Sequence, residues 1–298
     1  MKFDRAILFY HKGSGDDDID KKLNASLTNL CHLCQELVIY ESKKRGDIKE
    51  KCKNLDNFDI VIILGGDGTV FELINGMYEN NIDIPIAILP GGTFNDFSKT
   101  LNISEDLFEA SNSFKDAEIE RYDAMLLNNT AVLNFVALGL PVNIALNKDE
   151  ENKQSLGILS YVKSFFENTS NPELFDYELE YDGKSSKGRC TMILVLNGKS
   201  IVNVKLDDSF QSPQDAKLNI YILKDSSFAT IAEVFNAVKN DDLIDKDKLE
   251  YHEAKNIKII SPKDNKLDTD GELFLKSPAD IKILENRFRF LTIKKNRA

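Results

Sequence analysis

A continuous apolar run at residues 60–64 leads directly into Gly-Gly-Asp-Gly-Thr at 65–69, and a helical pattern of apolar residues follows at 70–78. Such a run predicts a strand that is covered on both faces, as in the parallel sheets of α/β proteins. Glycines allow backbone N–H groups to approach a ligand closely, and the start of a helix leaves further N–H groups unpaired. The segment therefore predicts a strand, a tight turn and a helix start that bind an anion, most simply a phosphate.

The same alternation of strands and helices continues through the first third of the chain. Strand-like runs lie at 6–10, 38–40, 60–64 and 84–89, and helical patterns lie at 23–37, 47–55, 70–78 and 95–101. This rhythm predicts a doubly wound, mostly parallel α/β domain over residues 1–123.

After about Arg121 the pattern changes to short strand-like segments, at 124–127, 131–138, 177–181, 191–196, 218–223 and 257–260. We predict a second domain over residues 124–285 that is rich in antiparallel strands and sandwich-like. Helical patterns at 158–166 and 228–238 interrupt it, and the terminal segment 286–298 could return to the first domain.

A second glycine loop follows the strand-like run at 84–89 and reads Pro-Gly-Gly-Thr-Phe-Asn-Asp at 90–96. Loops at the carboxyl ends of parallel strands face one crevice, so we expect both loops to contact the same ligand. The alternative is that each loop is only a favourable turn. Asp67 would repel a phosphate unless it holds Mg2+ or accepts hydrogen bonds, which makes it a candidate for metal-mediated phosphate contact.

The composition excludes several classes of partner. The formal net charge is -11 and the pI is about 4.9, so no general positive field attracts nucleic acid. The apolar runs are far shorter than the roughly 20 residues that a membrane span requires, and the first residues lack a signal-peptide core. We therefore predict a cytoplasmic protein with no nucleic-acid partner.

Cys31 and Cys34 form a Cys-x-x-Cys pair that could indicate a metal or redox site. Both residues also fall on the apolar face of the helical pattern at 23–37. No second cysteine pair or histidine pair completes a zinc site. We therefore favour two buried structural thiols.

At the two glycine loops the chain resembles the diacylglycerol kinase catalytic-domain family, and in particular the soluble bacterial lipid kinases. Residues 65–76 resemble the family motif GGDGT-x-x-E-x-x-NG, and residues 90–96 resemble P-x-GT-x-ND. The resemblance implies an ATP-dependent, Mg2+-requiring kinase that phosphorylates the hydroxyl of a diacylglycerol-like lipid at the membrane surface. It implies a nucleotide site formed by Ser14, Gly15, Ser42, Gly65, Gly66, Asp67, Gly68, Thr69, Glu72, Gly92, Thr93, Asn95 and Asp96.

The resemblance also extends to the sequence Asp-Thr-Asp-Gly-Glu at 268–272, which is similar to a late family motif. It implies that Glu272 is the general base and that Asp67 shares in catalysis. A calcium loop is excluded here because Lys266 and Ser277 would occupy its first and last ligand positions. A hairpin turn is compatible with the catalytic role.

The chain departs from the family pattern at three places. Asn-Gly at 197–198 matches the family, but the glycine cluster expected after it is replaced by Ile-Val-Asn-Val at 201–204. The first family loop, N-P-x-S-G, appears as His-Lys-Gly-Ser-Gly at 11–15, where Lys12 could contact phosphate. The Asp-Gly of the family's structural Mg2+ site appears as Asp215 followed by Ala216. Because Ala disfavours a positive φ, we expect this turn and its metal site to be weakened.

Two other functions remain open at the level of sequence. One is a kinase of a soluble metabolite such as NAD, and the other is a nucleotide-binding regulator that has lost catalysis. A homodimer is also left open.

Overall fold

The computed structural model describes residues 2–12, 19–139, 174–201, 204–205, 212–225, 248–261, 266–270 and 273–294. The chain divides into two compact units, one formed by Met1–Tyr122 with Asn286–Ala298 and the other by Asp123–Glu285. The predicted helices at 158–166 and 228–238 lie outside the described residues.

The first unit alternates strands and helices along the chain. Its elements are β1 Phe3–His11, α1 Ile19–Leu33, β2 Cys34–Ser42, α2 Asp47–Lys51, β3 Ile60–Gly65, α3 Asp67–Glu79, β4 Ile86–Pro90, α4 Asp96–Thr100 and α5 Leu107–Ser113. Short 3-10 turns follow α2 at Cys52–Asn54 and α5 at Phe114–Asp116. Strand β5, Glu118–Leu127, begins in this unit and ends in the second.

Strands β2, β1, β3 and β4 pair in parallel, in that order. The last strand of the chain, β18 (Ala279–Thr292), joins β4 in parallel at Phe290 and Ile86. The six residues of β3 are all buried, as expected for a central strand covered on both faces. The glycine loops follow β3 and β4 at their carboxyl ends.

The second unit consists of antiparallel strands. They are β6 Thr130–Val132, β7 Phe135–Leu138, β8 Phe175–Tyr181, β9 Lys184–Cys190, β10 Met192–Leu196, β11 Ser200–Ile201, β12 Val204–Lys205, β13 Leu218–Leu223, β14 Leu249–Ala254, β15 Asn256–Ile260, β16 Lys266–Thr269 and β17 Leu273–Lys276. One sheet has the order β14-β13-β10-β7-β16-β17, and β18, β15, β8 and β9 pair with one another in that order. Together with the parallel strands of the first unit, these antiparallel strands confirm the predicted fold class.

The prediction of two buried thiols is wrong for one of them. Cys31 is exposed and Cys34 is buried. The buried face of α1 is formed by Ser26, Leu30 and Leu33, and one residue corresponds to a rotation of about 100° on a helix, which turns Cys31 away from that face. Cys34 is the first residue of β2 and not part of the helix.

Candidate active site

The first glycine loop is tighter than the sequence predicts. Strand β3 ends at Gly65, Gly66 has an extended backbone and caps the helix, and α3 already begins at Asp67. Asp67, Gly68 and Thr69 therefore form the first helical turn, although the apolar pattern begins only at Val70. Thr69 N donates to Gly66 O at 3.0 Å, so Asp67 N and Gly68 N precede the first bonded donor of the helix. The start of a helix leaves such N–H groups without a partner within it and adds positive dipole potential.

The two glycine loops contact each other through their backbones. Gly91 N donates to Gly65 O at 2.9 Å. A Cβ atom at Gly92 would lie 2.4 Å from Gly66 Cα, and one at Gly65 would lie 2.6 Å from the Thr69 side chain. Side chains are therefore excluded at Gly65 and Gly92, and the two loops lie backbone against backbone.

The Asp67 carboxylate connects the first loop to the second. Its Oδ2 accepts from Asn95 N at 2.9 Å, and its Oδ1 accepts from Asp96 N at 2.8 Å. Burial, and next the charge of Asp96, raise the pKa of Asp67 to about 7, against the lowering effect of these two hydrogen bonds. The Asp96 side chain is itself buried. Two acidic side chains thus lie close together in a desolvated place, which favours a divalent cation.

Asn95 shapes the second loop. Its backbone has a φ of 52°, in the left-handed region, and its side chain bonds both to Gly92 N at 2.9 Å and to Gly92 O at 2.8 Å. The Asn95 amide therefore closes the loop on itself. Thr93, at the tip of this loop, is exposed.

Glu72 was predicted to contribute to the nucleotide site, but its carboxylate binds the backbone at the start of α2. Its Oε1 accepts from Gly46 N at 2.9 Å, Ile48 N at 2.8 Å and Lys49 N at 3.2 Å. These are the amides at the start of α2. The side chain therefore fixes the turn that follows Ser42, and any effect on a nucleotide would pass through that turn.

Ser42 is buried at the end of β2. Its Oγ donates to Lys44 O at 3.3 Å, and its carbonyl lies 2.8 Å from His11 Nδ1. Lys12, the expected phosphate contact, lies 3.6 Å from Glu41 Oε1. Ser14 and Gly15 lie outside the described residues.

We expect Glu72→Ala to reduce the free energy of unfolding by about 2 kcal/mol, since three backbone donors lose their acceptor. We also expect the KM for ATP to rise about tenfold, because the turn after Ser42 loses its support. Thermal melts and steady-state kinetics measure the two effects, and Glu72→Gln should restore part of both. Glu79→Ala, on the same helix and 2.7 Å from Lys49, is the control and should leave the KM unchanged. A destabilised Glu72→Ala variant with an unchanged KM would contradict the positioning role.

The hairpin predicted near 270 is confirmed in the second unit. Strands β16 and β17 pair antiparallel, and Asp270 between them has a φ of 50°. The Asp270 carboxylate accepts from Leu133 N at 3.0 Å, Asn134 N at 3.1 Å and Phe135 N at 2.8 Å. It thus binds the turn between β6 and β7 to this hairpin. Glu272, the predicted base, lies outside the described residues, two positions beyond Asp270.

The turn at Asp215 keeps the conformation that the sequence analysis put in doubt. Ala216 has a φ of 58°, and its N–H donates to Asp123 Oδ2 at 2.8 Å. A non-glycine residue in this region costs about 1–2 kcal/mol, which this hydrogen bond offsets. Partial burial, with the charge of Asp123 among the further causes, raises the pKa of Asp215. Alanine therefore changes the cost of the turn and not its geometry.

Asp123 was missed by sequence reasoning. It is buried, and its backbone N–H donates to Pro213 O at 2.7 Å. Asn197, which matches the family's Asn-Gly, donates its Nδ2 to Asp123 O at 3.1 Å and to Leu133 O at 2.8 Å. No motif in the sequence marks Asp123, since its environment is created by distant strands.

In the described parts of the chain, no group of three or more His, Cys, Asp and Glu side chains is placed to hold a metal ion. The pair formed by Asp67 and Asp96 nevertheless suits Mg2+, which commonly takes one or two carboxylates and completes its shell with water and substrate phosphates. No helix in the same described parts is long and apolar enough to cross a membrane.

Comparison with known proteins agrees with this geometry. The family model of the diacylglycerol kinase catalytic domain matches residues 5–127, and the model of the YegS C-terminal NAD kinase beta sandwich-like domain matches residues 135–292. A protein of Staphylococcus haemolyticus (strain JCSC1435) named "Putative lipid kinase" is 41% identical over 306 residues, which cover 99% of this chain and 98% of that protein. One of the same name from Staphylococcus aureus (strain MSSA476) is 38% identical, with 98% of each chain covered.

Solved structures show the same similarity. A crystal structure described as "a putative diacylglycerol kinase from Bacillus anthracis str. Sterne" has a TM-score of 0.87, 28% sequence identity and 98% coverage of each chain. A second, described as a diacylglycerol kinase from the same strain, has a TM-score of 0.84 and 27% identity, again with 98% coverage of each chain. The fold and the paired loops thus define a kinase-type phosphotransferase. More particularly, the chain belongs to the diacylglycerol kinase family of lipid kinases.

Proposed function

We propose that the protein transfers the γ-phosphoryl group of ATP to the hydroxyl of a diacylglycerol-like lipid, and that it requires Mg2+. The observation that carries the proposal is the junction of the two glycine loops, where Asp67 accepts N–H groups from Asn95 and Asp96. Phosphoryl transfer depends mainly on positioning and on stabilising charge, and backbone donors beside two carboxylates suit both tasks.

Each group has a distinct part in this proposal. The N–H groups of Asp67 and Gly68 in the first turn of α3, and of Thr93 and Phe94 in the second glycine loop, bind the phosphates. Asp67 and Asp96 would hold the Mg2+. When bound, Mg2+ supplies neutralising charge on the phosphate oxygens. Glu272 accepts the proton of the lipid hydroxyl, and Asp270, two positions earlier in the sequence, binds the hairpin of β16 and β17 to the turn between β6 and β7. Asp215 is proposed as the ligand of a separate structural Mg2+.

The lipid reaches the protein at a membrane surface in this proposal, through peripheral contact. The acidic composition means that such contact depends on local groups and not on net charge. Purified protein with ATP, Mg2+ and a panel of lipid alcohols in mixed micelles should yield a phosphorylated lipid. No product under conditions that support a close relative would contradict the proposed acceptor.

The raised pKa of Asp67 predicts a dependence on pH. A carboxylic acid with a pKa of about 7 is largely protonated below pH 7, and the protonated form does not bind Mg2+ well. We expect the Mg2+ concentration for half-maximal activity to rise as the pH falls from 8 to 6, by about tenfold for each unit below the pKa. Titrations of free Mg2+ at fixed MgATP, with the proton and metal equilibria of ATP itself taken into account, measure this shift. An identical half-maximal concentration at pH 6 and pH 8 would be inconsistent with a protonated Asp67.

A further inference from the structure

Lys99 bonds to the second glycine loop from the helix that follows it. It belongs to α4, its side chain is only 16% exposed, and its Nζ donates to Phe94 O. The same Nζ atom lies 3.0 Å from Glu105 Oε1, in the segment that precedes α5. The lysine therefore folds back onto the loop, and an ion pair with Glu105 holds its ammonium group there.

The carbonyl that Lys99 binds belongs to the same peptide unit as a donor to Asp67. Phe94 O and Asn95 N are joined by one planar peptide bond, which is trans. In a trans unit the C=O and the N–H point in opposite directions. Because Asn95 N donates to Asp67 Oδ2 at 2.9 Å, Lys99 and Asp67 bind opposite sides of the same unit.

The orientation of this peptide unit decides whether Asp67 keeps its donor. Asn95 has a φ of 52°, which is less favourable for a residue with a side chain than for glycine. The bonds from the Asn95 amide to Gly92 hold the side chain and not the peptide unit before it. A charge-assisted bond from an ammonium group is stronger than a neutral one, so Lys99 resists rotation of the unit.

We propose that Lys99, held by Glu105, positions the Asp67 carboxylate for Mg2+ by fixing the Phe94–Asn95 peptide unit. The inference deepens the proposed function and rests on it for the role of Mg2+. Lys99 acts through Asp67 and is a positioning residue. Its positive charge alone would disfavour a cation, so its benefit to Mg2+ binding comes from the geometry that it imposes.

Calorimetric titration with ATP, in excess Mg2+ and separately in EDTA, tests this role. The ratio of the two affinities is the Mg2+ enhancement of ATP binding. We expect Lys99→Met to reduce this enhancement at least about tenfold, the usual order for losing a group that orients a metal ligand. Lys53→Met is the control, since it removes an exposed lysine that also pairs with a glutamate, Glu50, at 2.7 Å. It should keep the wild-type enhancement.

Hydrogen exchange in the protein without ATP or Mg2+ tests the contact itself. We expect the Asn95 N–H to exchange at least about tenfold faster in Lys99→Met, because the peptide unit can then rotate away from Asp67. Glu105→Ala should also exchange faster at Asn95, since the ammonium group loses its ion pair. Lys53→Met should match the wild type.

Either of two results would overturn the role of Lys99. One is a wild-type Mg2+ enhancement in Lys99→Met, which includes equal losses of ATP affinity in Mg2+ and in EDTA. The other is unchanged exchange at Asn95. If thermal melts show that Lys99→Met is misfolded, Glu105→Ala decides by the same two measurements. A wild-type protein whose ATP affinity does not respond to Mg2+ would instead overturn the proposed metal role and this inference together.

Discussion

Asp67→Asn is expected to lower kcat/KM at least about 100-fold, the usual order for losing one preorganised electrostatic group. Asparagine has nearly the same shape, but it removes the charge proposed to hold Mg2+. It also turns an amide N–H toward the backbone N–H of Asn95 or Asp96, both of which now donate to Asp67. Steady-state kinetics with saturating ATP and Mg2+ measure the loss.

Asp59→Asn is the matched control for this prediction. The Asp59 carboxylate also accepts two backbone N–H groups, from Asp4 at 3.0 Å and Arg5 at 2.8 Å, but it lies before β3 and not in a glycine loop. It should keep activity within about twofold. Equal losses in the two variants would assign the effect of Asp67 to stability and not to phosphate chemistry.

Glu272→Gln should reduce kcat by about 100-fold to 10,000-fold, since a neutral amide cannot take the proton of the lipid hydroxyl. Its affinity for ATP in calorimetry should match the wild type, because the glycine loops supply nucleotide binding. Glu285→Gln, which removes an exposed carboxylate paired with Lys255 at 2.6 Å, is the control and should keep full turnover. Normal turnover by Glu272→Gln would exclude Glu272 as the base.

The parallel half of the fold could be predicted from the sequence because its information is local. The run in β3 is entirely buried, and the glycines mark where it ends. The loss of apolar pattern after Gly65 hid the true start of α3 at Asp67, since the residues of the first helical turn are half-buried and none of them has a large apolar side chain. The apolar pattern of a helix predicts burial and does not reveal the residues that cap its start.

The antiparallel half of the fold was harder to predict from the sequence. Strand β9 reads Lys-Ser-Ser-Lys-Gly-Arg-Cys and carries almost no apolar residue, so only its pairing with β8 makes it a strand. In the first unit, helix α5 was also missed, although Asp106 caps it by accepting from Glu109 N at 2.8 Å. Tertiary pairing overrides weak local propensity in such segments.

The site shows the same limit of sequence reasoning. The motifs identified Asp67 and Glu72, but only the structure shows that Glu72 holds the start of α2 and that Asp67 joins the two loops. Asp123 carries no sequence signal, because its partners Ala216 and Asn197 lie far along the chain. At Ala216 the propensity argument predicted a weakened turn, and a hydrogen bond from its N–H supports the positive φ instead.

The two other candidate functions make different predictions. An NAD kinase would phosphorylate NAD in preference to a lipid, and a non-catalytic regulator would bind ATP without transfer. The family assignment favours a kinase, and the acceptor that becomes phosphorylated distinguishes a lipid kinase from an NAD kinase.

The most direct test is the transfer of label from γ-labelled ATP into the lipid phase when diacylglycerol micelles, Mg2+ and the purified protein are combined. The account predicts a labelled phospholipid with the wild-type protein and nearly none with Asp67→Asn. Label in NAD and none in lipid, or ATP binding without transfer to either acceptor, would contradict it.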